Sequence, residues 1–270
     1  KGIAHAIGLC KNFIGEDKFL VFLGDNIIQK SIRDIAEKFE KDSSSASILL
    51  CEVDNPSRFG IADVKDGKIL KIMEKPKDPP TNLAVTGIYF LTPKIFDVIN
   101  RLKPSWRNEY EITDALDMLL KEDNKITYDT ITDYWKDTGT PEDIIHANKE
   151  ILKNMKLYFR GEREENVSIS GNVMIDTGTK IKKNCKITGP VIIGKNCVLE
   201  EDTVIGPNTS IGDNSKISKS NIENSIIMES CEIMTNIKIR NSIISANSKI
   251  CKAENEENVL LLGEGTNLKI

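Results

Sequence analysis

Residues 167–218 read VSISGNVMIDTGTKIKKNCKITGPVIIGKNCVLEEDTVIGPNTSIGDNSKIS, and this stretch decides the fold of the second half of the chain. Aliphatic side chains recur in it at every sixth position: Ile169, Ile175, Ile181, Ile187, Ile193, Leu199, Ile205, Ile211 and Ile217. A small residue stands two positions before each, and a turn-forming residue usually stands three positions after it. A period of six cannot keep one face of an α-helix apolar, but it is typical of hexapeptide repeats. The stretch therefore predicts a parallel β-helix with the aliphatic side chains inside.

The repeat changes register once and then ends. Its spacing slips near Ile222 and resumes at Ile227. Residues 252–270 leave the repeat and contain a run of apolar residues at 259–262. Because the open end of a coil leaves backbone groups unpaired, this last segment is predicted to pack back on the coil as a cap.

The first half of the chain follows a different pattern. In residues 1–150 short apolar runs alternate with helical patterns. Residues 19–23, Phe-Leu-Val-Phe-Leu, form a continuous apolar run that predicts a strand buried on both faces. The runs at 61–64 and 69–72 flank Lys-Asp-Gly-Lys, which is a hairpin signal. Such alternation predicts an α/β domain with a mainly parallel sheet.

Composition narrows the classes of function. The chain has 270 residues, 39% of them hydrophobic, and a formal net charge of −4, which gives no support to nucleic-acid binding. No apolar run is long enough to cross a membrane. The six cysteines form no CxxC pair and only two histidines are present, which argues against a zinc site. We expect buried free thiols in a reducing cytoplasm, with Cys185, Cys197 and Cys231 in the small-residue positions of the repeat.

Two aspartates follow strand-like runs and are candidate metal ligands. Asp25 lies in Leu-Gly-Asp-Asn directly after the run at 19–23, where ligands of α/β sheets bind, and its carboxylate suits Mg²⁺. The alternative is that Asp25 only caps the next helix. Asp137 lies in a loop before a helix whose N-terminus Thr140 and Pro141 already explain, so its carboxylate is available for function.

A Glu-Lys pair ends another strand. Glu74 can accept hydrogen bonds from sugar hydroxyls, and Lys75 can balance the charge of a phosphate. The alternative is an ordinary solvated pair at the surface. Gly60 and Gly87 would allow a ligand to approach the backbone closely.

In order along the chain, the motifs LGDN, EKP, EITDA and WKDTGTPED and the ending LLLGEGTNLKI resemble the long form of the glucose-1-phosphate thymidylyltransferases. This is a group of sugar-phosphate nucleotidyltransferases, and the resemblance spans nearly the whole chain. It implies a partial Rossmann-like α/β nucleotidyltransferase domain at residues 1–155, a linker at 156–166 and a left-handed parallel β-helix of hexapeptide repeats with its cap at 167–270.

The resemblance also implies an activity: transfer of a nucleotidyl group from dTTP to glucose 1-phosphate, giving dTDP-glucose and pyrophosphate. Asp25 and Asp137 would bind the cofactor Mg²⁺ and, with Lys75, serve catalysis. The implied substrate-binding residues are Gly2, Ile3, Gly60, Glu74, Thr86, Gly87, Tyr89, Arg107, Glu109 and Trp135.

One part of the family pattern does not precede Lys1. The family begins with a Gly-rich phosphate loop of the type GGxGTRLxP, so the chain is expected to be N-terminally truncated and impaired when alone. Other specificities, for UTP or another hexose 1-phosphate, remain open, as do an inactive binding or assembly module and a homo-oligomer. An acyltransferase is disfavoured, because such β-helices usually employ a His base and residues 166–270 contain none.

Overall fold

The computed structural model describes residues 1–251. The chain divides into two compact units, Lys1–Gly139 and Thr140–Ile270. Within residues 1–251, no helix is both long and apolar enough to span a membrane. The predicted cap at 252–270 lies outside the described residues.

The first unit combines strands with short helices. Its helices are α1 (Ile3–Leu9), α2 (Lys11–Ile14), α3 (Arg33–Lys41), α4 (Lys94–Ile99) and α5 (Ile112–Lys121), with a 3₁₀ turn at Pro56–Arg58. Its strands are β1 (Phe19–Phe22), β2 (Asn26–Ile28), β3 (Ala46–Glu52), β4 (Gly60–Lys65), β5 (Lys68–Glu74), β6 (Leu83–Leu91), β7 (Ile126–Ile131) and β8 (Trp135–Asp137). The predicted hairpin is confirmed as β4–β5.

The main sheet has the order β5-β4-β6-β3-β7, and β1 also pairs with β6. The α/β class is confirmed, but the expectation of a mainly parallel sheet is wrong for the described strands. Only β3 and β7 pair in parallel; β1, β3 and β4 all run antiparallel to β6. Local patterns predicted the strands at 19–23, 61–64 and 69–72 but not β2, β7 or β8. They also did not predict that β6 returns antiparallel after the β4–β5 hairpin. A second, two-stranded sheet joins β2 to β8.

Strand β1 is not buried on both faces, so that expectation is also wrong. Leu20 and Phe22 are each 42% exposed, whereas Phe19 and Val21 pack against the core. In the described part of the chain β1 pairs on one side only, with β6, and alternate side chains of a strand point to opposite faces. One face of β1 therefore stays open.

Strand β6 carries the core and positions the site. Tyr89 and Leu91 pack in the apolar cluster formed with α4 and α5, while Ile88 and Phe90 pack in the cluster formed with α3. Because side chains alternate along the strand, both faces of its C-terminal half are buried. The strand is thus a fixed support for the loops at its edge.

The second unit is a solenoid preceded by one helix, α6 (Pro141–Lys153). Thr140 caps α6, accepting a hydrogen bond from the Asp143 N–H, as predicted. The strands are β9 (Tyr158–Phe159), β10 (Glu162–Arg163), β11 (Ser168–Ser170), β12 (Val173–Ile175), β13 (Lys180–Ile181), β14 (Lys186–Thr188), β15 (Val191–Ile193), β16 (Val198–Leu199), β17 (Val204–Ile205), β18 (Thr209–Ile211), β19 (Lys216–Ser218), β20 (Asn221–Glu223), β21 (Ile226–Ile227), β22 (Glu232–Met234), β23 (Lys238–Arg240), β24 (Ile243–Ile244) and β25 (Lys249–Cys251). They form three parallel sheets of six, five and six strands.

The hexapeptide prediction is confirmed. The repeating aliphatic residues fill the interior, and the thiols of Cys185, Cys197 and Cys231 are buried and free, as expected. Cys10 and Cys251 are free but exposed, so the expectation of buried thiols is wrong for these two. Asparagines at the corners, including Asn196 and Asn214, adopt left-handed backbone angles, which Asn tolerates better than most residues.

The predicted slip in register appears as a shortening of the coil. Ile187 pairs with Ile205, a full step of three hexapeptides, but Ile205 pairs with Ile222, one residue short of that step.

The solenoid begins inside the segment assigned to the linker, 156–166. Strand β9 pairs with β12, and β10 pairs with β13, so residues 158–163 already belong to the parallel ladders. Their side chains are mostly charged or exposed, because they form the first coil. For that reason the hexapeptide pattern is weak there.

Candidate active site

Pairing of β2 with β8 brings the two candidate metal ligands together. Asn26 pairs with Asp137, so Asp25 lies beside the end of β8. The backbone N–H and the hydroxyl of Thr138 both donate to the carbonyl oxygen of Asp25, at 2.8 and 2.9 Å. Asp25 is exposed and Asp137 is half-buried, so both carboxylates are accessible to a ligand.

The side chain of Asn26 connects this pair to the main sheet. Its Oδ1 accepts hydrogen bonds from the Gly87 N–H at 2.9 Å and from the indole Nε1–H of Trp135 at 2.7 Å. Its Nδ2 donates to Asp25 Oδ1 at 2.8 Å. Trp135, a predicted substrate residue, is instead buried against Phe59, with the ring centroids 5.8 Å apart.

Glu74 is a partly buried carboxylate of the site. It ends β5, and its Oε2 accepts a hydrogen bond from the Thr113 hydroxyl at 2.9 Å. Arg107 lies 3.4 Å from the other oxygen. Burial raises the pKa of Glu74, and the nearby charge of Glu111 raises it further, while Thr113, Lys75 and Arg107 act in the opposite direction.

Arg107 is shared among three carboxylates. Besides Glu74, its guanidinium lies 3.4 Å from Glu109 and 3.4 Å from Glu111. Glu111 is only 4% exposed and also accepts a hydrogen bond from the Ser105 hydroxyl at 2.8 Å. The cluster therefore holds Arg107 in place beside Glu74.

Lys75 follows Glu74 in a strained backbone conformation. Its φ is 40°, which is uncommon for a residue other than glycine. Its N–H donates to the carbonyl of Phe59 at 3.0 Å, which fixes the turn. Such outliers cluster at functional sites, because the surrounding structure must hold them in place.

Two glycines leave the space that the site needs. A Cβ on Gly60 would lie 2.5 Å from Thr113 Cγ2 and 3.3 Å from Glu74 Oε2. A Cβ on Gly87 would lie 2.4 Å from Asn26 Nδ2. Both glycines therefore lie against side chains of the site itself, and the close approach of a ligand to their backbone stays a prediction.

Tyr89 is buried on β6. Burial raises the pKa of its phenol, and the charges of Glu74 and Asp25 raise it further. Strand β6 also contacts both groups of site residues: the Gly87 N–H donates to Asn26, and Val85 Cβ lies 3.8 Å from the position of a Cβ on Gly60.

The Thr86 side chain makes no hydrogen bond to the other described site residues. The residue precedes Gly87 on β6, where the register against β3 shifts between the pairs Ile48–Tyr89 and Leu50–Val85. It is completely buried, and its hydroxyl has no hydrogen-bond partner among the described residues.

Gly2 and Ile3 lie on the Arg107 side of the unit. The backbone of residues 1–4 bonds to Tyr110, which accepts from the Ala4 N–H at 3.1 Å. Gly2 has a φ of 92°, and a Cβ there would meet the Tyr110 backbone at 2.6 Å. Ile3 packs against the apolar core.

Three further residues of the site were missed by the sequence analysis: Asn26, Glu111 and Thr113. All three belong to the quoted motifs LGDN and EITDA, so their positions carried a signal. Their partners are up to 109 residues distant in the chain, and no local pattern identifies such contacts.

Asp25 and Asp137 suit a magnesium ion that shares its coordination with substrate. Both offer hard carboxylate oxygens, and residues 1–251 contain no group of three or more His, Cys, Asp or Glu side chains able to hold a metal alone. Mg²⁺ is usually bound through one or two carboxylates together with substrate phosphates and water. The donor set therefore fits this ion.

Comparison with known proteins assigns the first unit. Residues 1–154 match the family model described as nucleotidyl transferase. The chain belongs to the sugar-phosphate nucleotidyltransferase family. Residues 198–269 of this nucleotidyltransferase match a second model, described as the GMPPB C-terminal domain.

Similar proteins cover the whole of the nucleotidyltransferase chain. It is 40% identical to the low-salt glycan biosynthesis nucleotidyltransferase Agl11 of Haloferax volcanii over 273 residues, which is 100% of this chain and 76% of the relative. It is 35% identical to a glucose-1-phosphate thymidylyltransferase of Streptomyces antibioticus, with the same coverage.

A solved structure agrees with these relatives. The crystal structure of a putative glucose-1-phosphate thymidylyltransferase from Bacillus anthracis has 42% sequence identity and a TM-score of 0.53. The match covers 58% of this nucleotidyltransferase and 63% of that chain.

Proposed function

We propose that this nucleotidyltransferase transfers a thymidylyl group from dTTP to glucose 1-phosphate, releasing pyrophosphate and forming dTDP-glucose. The observation that carries the proposal is the pairing of β2 with β8, which brings the accessible carboxylates of Asp25 and Asp137 together. This pair suits a metal-bound triphosphate, and Glu74, held by Thr113 and Arg107, suits a sugar. The thymidylyltransferase similar over the full chain supports the choice of substrates.

The chain's own residues would act by positioning and by neutralising charge. The phosphate oxygen of glucose 1-phosphate attacks the α-phosphorus of dTTP in line, the bond to the β-phosphate oxygen breaks, and pyrophosphate leaves. The nucleophile is already an anion, so no general base is required, and most of the catalytic effect comes from alignment and electrostatics. Lys75, held in its strained turn, would place a positive charge against the sugar phosphate.

Glu74 would bind the hexose. Its carboxylate, fixed by Thr113 and Arg107, would accept hydrogen bonds from sugar hydroxyls. Gly60 lets Thr113 pack close to Glu74, because a Cβ on Gly60 would lie 2.5 Å from Thr113 Cγ2. Arg107 would remain engaged with the surrounding carboxylates, and its role would be to orient Glu74.

Asp25 and Asp137 would hold Mg²⁺. When bound, the ion supplies positive charge that offsets the crowded phosphates. The chain's part is to present both carboxylates from the paired ends of β2 and β8.

The second candidate function is the same reaction with a different nucleotide base or a different sugar phosphate. The name of the Haloferax relative states a nucleotidyltransferase without a base, so a uridylyl or other transfer at the same site is the alternative.

A substrate matrix tests the proposal. Pyrophosphate release would be measured in Mg²⁺ with dTTP or UTP against glucose 1-phosphate or N-acetylglucosamine 1-phosphate, and kcat/KM compared. We expect the highest kcat/KM with dTTP and glucose 1-phosphate. Asp25→Asn should lower kcat by about 100-fold, a typical cost of losing one electrostatic stabiliser. A preference for UTP, or full activity of Asp25→Asn, would overturn the assignment.

A further inference from the structure

The side chain of Asn26 has no role in binding substrate in the proposed mechanism, yet it is 8% exposed and hydrogen-bonded through both its oxygen and its nitrogen. It reaches three elements of the first unit: the Gly87 N–H on β6, the Trp135 indole on β8, and the Asp25 carboxylate that precedes β2. A buried amide with three such bonds contributes to a unique local geometry.

The donors around the Asn26 side chain determine which of its two amide atoms is the oxygen and which is the nitrogen. A backbone N–H and an indole N–H can only donate, so the group 2.9 and 2.7 Å from them must be the Asn26 oxygen. The amino group then faces Asp25 Oδ1 at 2.8 Å and can only donate to it. Asp25 must therefore present an accepting oxygen at this point, and its other oxygen is directed away from the bond.

The neighbours of Asn26 hold it in this place. Gly87 has no side chain, and a Cβ there would come within 2.4 Å of Asn26 Nδ2. Trp135 is 9% exposed, and its edge-to-face contact with Phe59 keeps the indole N–H in position. Movement of the amide would break buried hydrogen bonds, each of which is costly to leave unmade.

We infer that Asn26 is a positioning residue, whose carboxamide fixes the Asp25 carboxylate in the orientation that receives the divalent cation. The inference rests on the proposed role of Asp25 as a metal ligand. Residues that hydrogen-bond a metal ligand commonly change metal affinity by 10–100-fold when they are removed. Asn26 acts through Asp25 and would not touch the cation itself.

The chain provides its own probe of this site. It contains two tryptophans, and Trp106 is 82% exposed whereas Trp135 bonds to Asn26. In a Trp106→Phe background, the single indole N–H signal in a ¹⁵N NMR spectrum reports on Trp135. Mn²⁺ bound at Asp25 would broaden this signal through its unpaired electrons.

The experiment titrates Mn²⁺, with and without dTTP, into the full chain carrying Trp106→Phe, and compares Asn26→Ser with a matched control. Thr138→Val is that control, because it removes a hydroxyl that donates to the Asp25 backbone carbonyl and leaves the carboxylate untouched. We expect Asn26→Ser to need about 10-fold more Mn²⁺ for half-broadening. Thr138→Val should need the same concentration as the parent chain.

Equal Mn²⁺ concentrations for the parent and a folded Asn26→Ser chain would overturn the inference and leave the proposed function intact. Absence of broadening in the parent, with dTTP present, would instead remove the metal role of Asp25 and the proposed function with it. If Asn26→Ser does not fold, Gly87→Ala takes its place, because the added Cβ displaces the Asn26 amide. Unchanged half-broadening in that variant would refute the inference equally.

Discussion

Replacement of Thr113 by Val removes one hydrogen bond from Glu74 and changes almost nothing else. The hydroxyl of Thr113 donates to Glu74 Oε2 at 2.9 Å, and the residue is 2% exposed. Val has nearly the same shape and keeps the Cγ2 methyl group that lies close to Gly60. The substitution therefore isolates the contribution of the hydrogen bond.

The bond joins a neutral donor to a carboxylate in a buried place, and such bonds contribute about 1.5–3 kcal/mol. For a unit of this size we expect the melting temperature to fall by about 3–12 °C. The hydrogen bond also lowers the pKa of Glu74 against the larger effect of burial, which raises it. Removing the bond should raise this pKa further.

The sign of the pH effect follows from the role of Glu74. The ionised carboxylate accepts stronger hydrogen bonds from sugar hydroxyls than the protonated acid does, so kcat/KM for glucose 1-phosphate should fall as pH decreases through the pKa of Glu74. This fall forms the acid limb of the pH profile, and in Thr113→Val the acid limb should move to higher pH.

The assay is the pH profile of kcat/KM for glucose 1-phosphate, together with thermal unfolding followed by near-UV circular dichroism. Thr132→Val is the control, because Thr132 is exposed on the loop after β7. It should change neither quantity. A melting temperature that falls while the acid limb stays in place would refute the link between Glu74 and the sugar.

Three further predictions concern other parts of the molecule. Thr86→Val should raise the melting temperature by a few degrees, because the Thr86 hydroxyl is buried without a hydrogen-bond partner among the described residues. It should leave KM for the sugar phosphate unchanged, and a higher KM would show that Thr86 contacts the sugar. Asn214 has a φ of 60°, so Asn214→Val should destabilise the solenoid by about 1–2 kcal/mol in urea unfolding, while Asn214→Gly should be nearly neutral; equal effects would contradict the backbone argument. At pH 8 only the exposed Cys10 and Cys251, among residues 1–251, should react quickly with a thiol reagent, because burial raises the pKa of the other four thiols.

The solenoid could be predicted because its structure is local. Each hexapeptide contains the buried aliphatic residue, the small residue and the corner residue. The same backbone geometry therefore recurs every six residues. The corner Asn at 196 and the buried Cys197 illustrate this, since each conformation follows from its own place in the repeat.

The main sheet was predicted less well, because pairing depends on distant residues. The strands of the hairpin β4–β5 were found from local signals, but nothing near β6 states that β1, β3 and β4 run antiparallel to it. The exposed face of β1 was not predicted for the same reason. A run of apolar residues does not show which of its side chains a neighbouring element covers.

The candidate site was also predicted only in part. Asp25, Glu74 and Lys75 stand in recognisable motifs, so they could be found from local sequence. The three hydrogen bonds of Asn26 and the cluster around Arg107 arise only when separate elements meet.

The most direct measurement is a ³¹P NMR spectrum of dTTP and glucose 1-phosphate incubated in Mg²⁺ with the chain and, separately, with a version of it preceded by a Gly-rich phosphate loop of the type GGxGTRLxP. We expect the two substrates to decline together, faster with the version that carries the loop, while the paired diphosphate signals of dTDP-glucose and the single signal of pyrophosphate grow in equal amounts. Unchanged substrates with the folded, loop-bearing protein, or pyrophosphate without the sugar nucleotide, would contradict the proposed function.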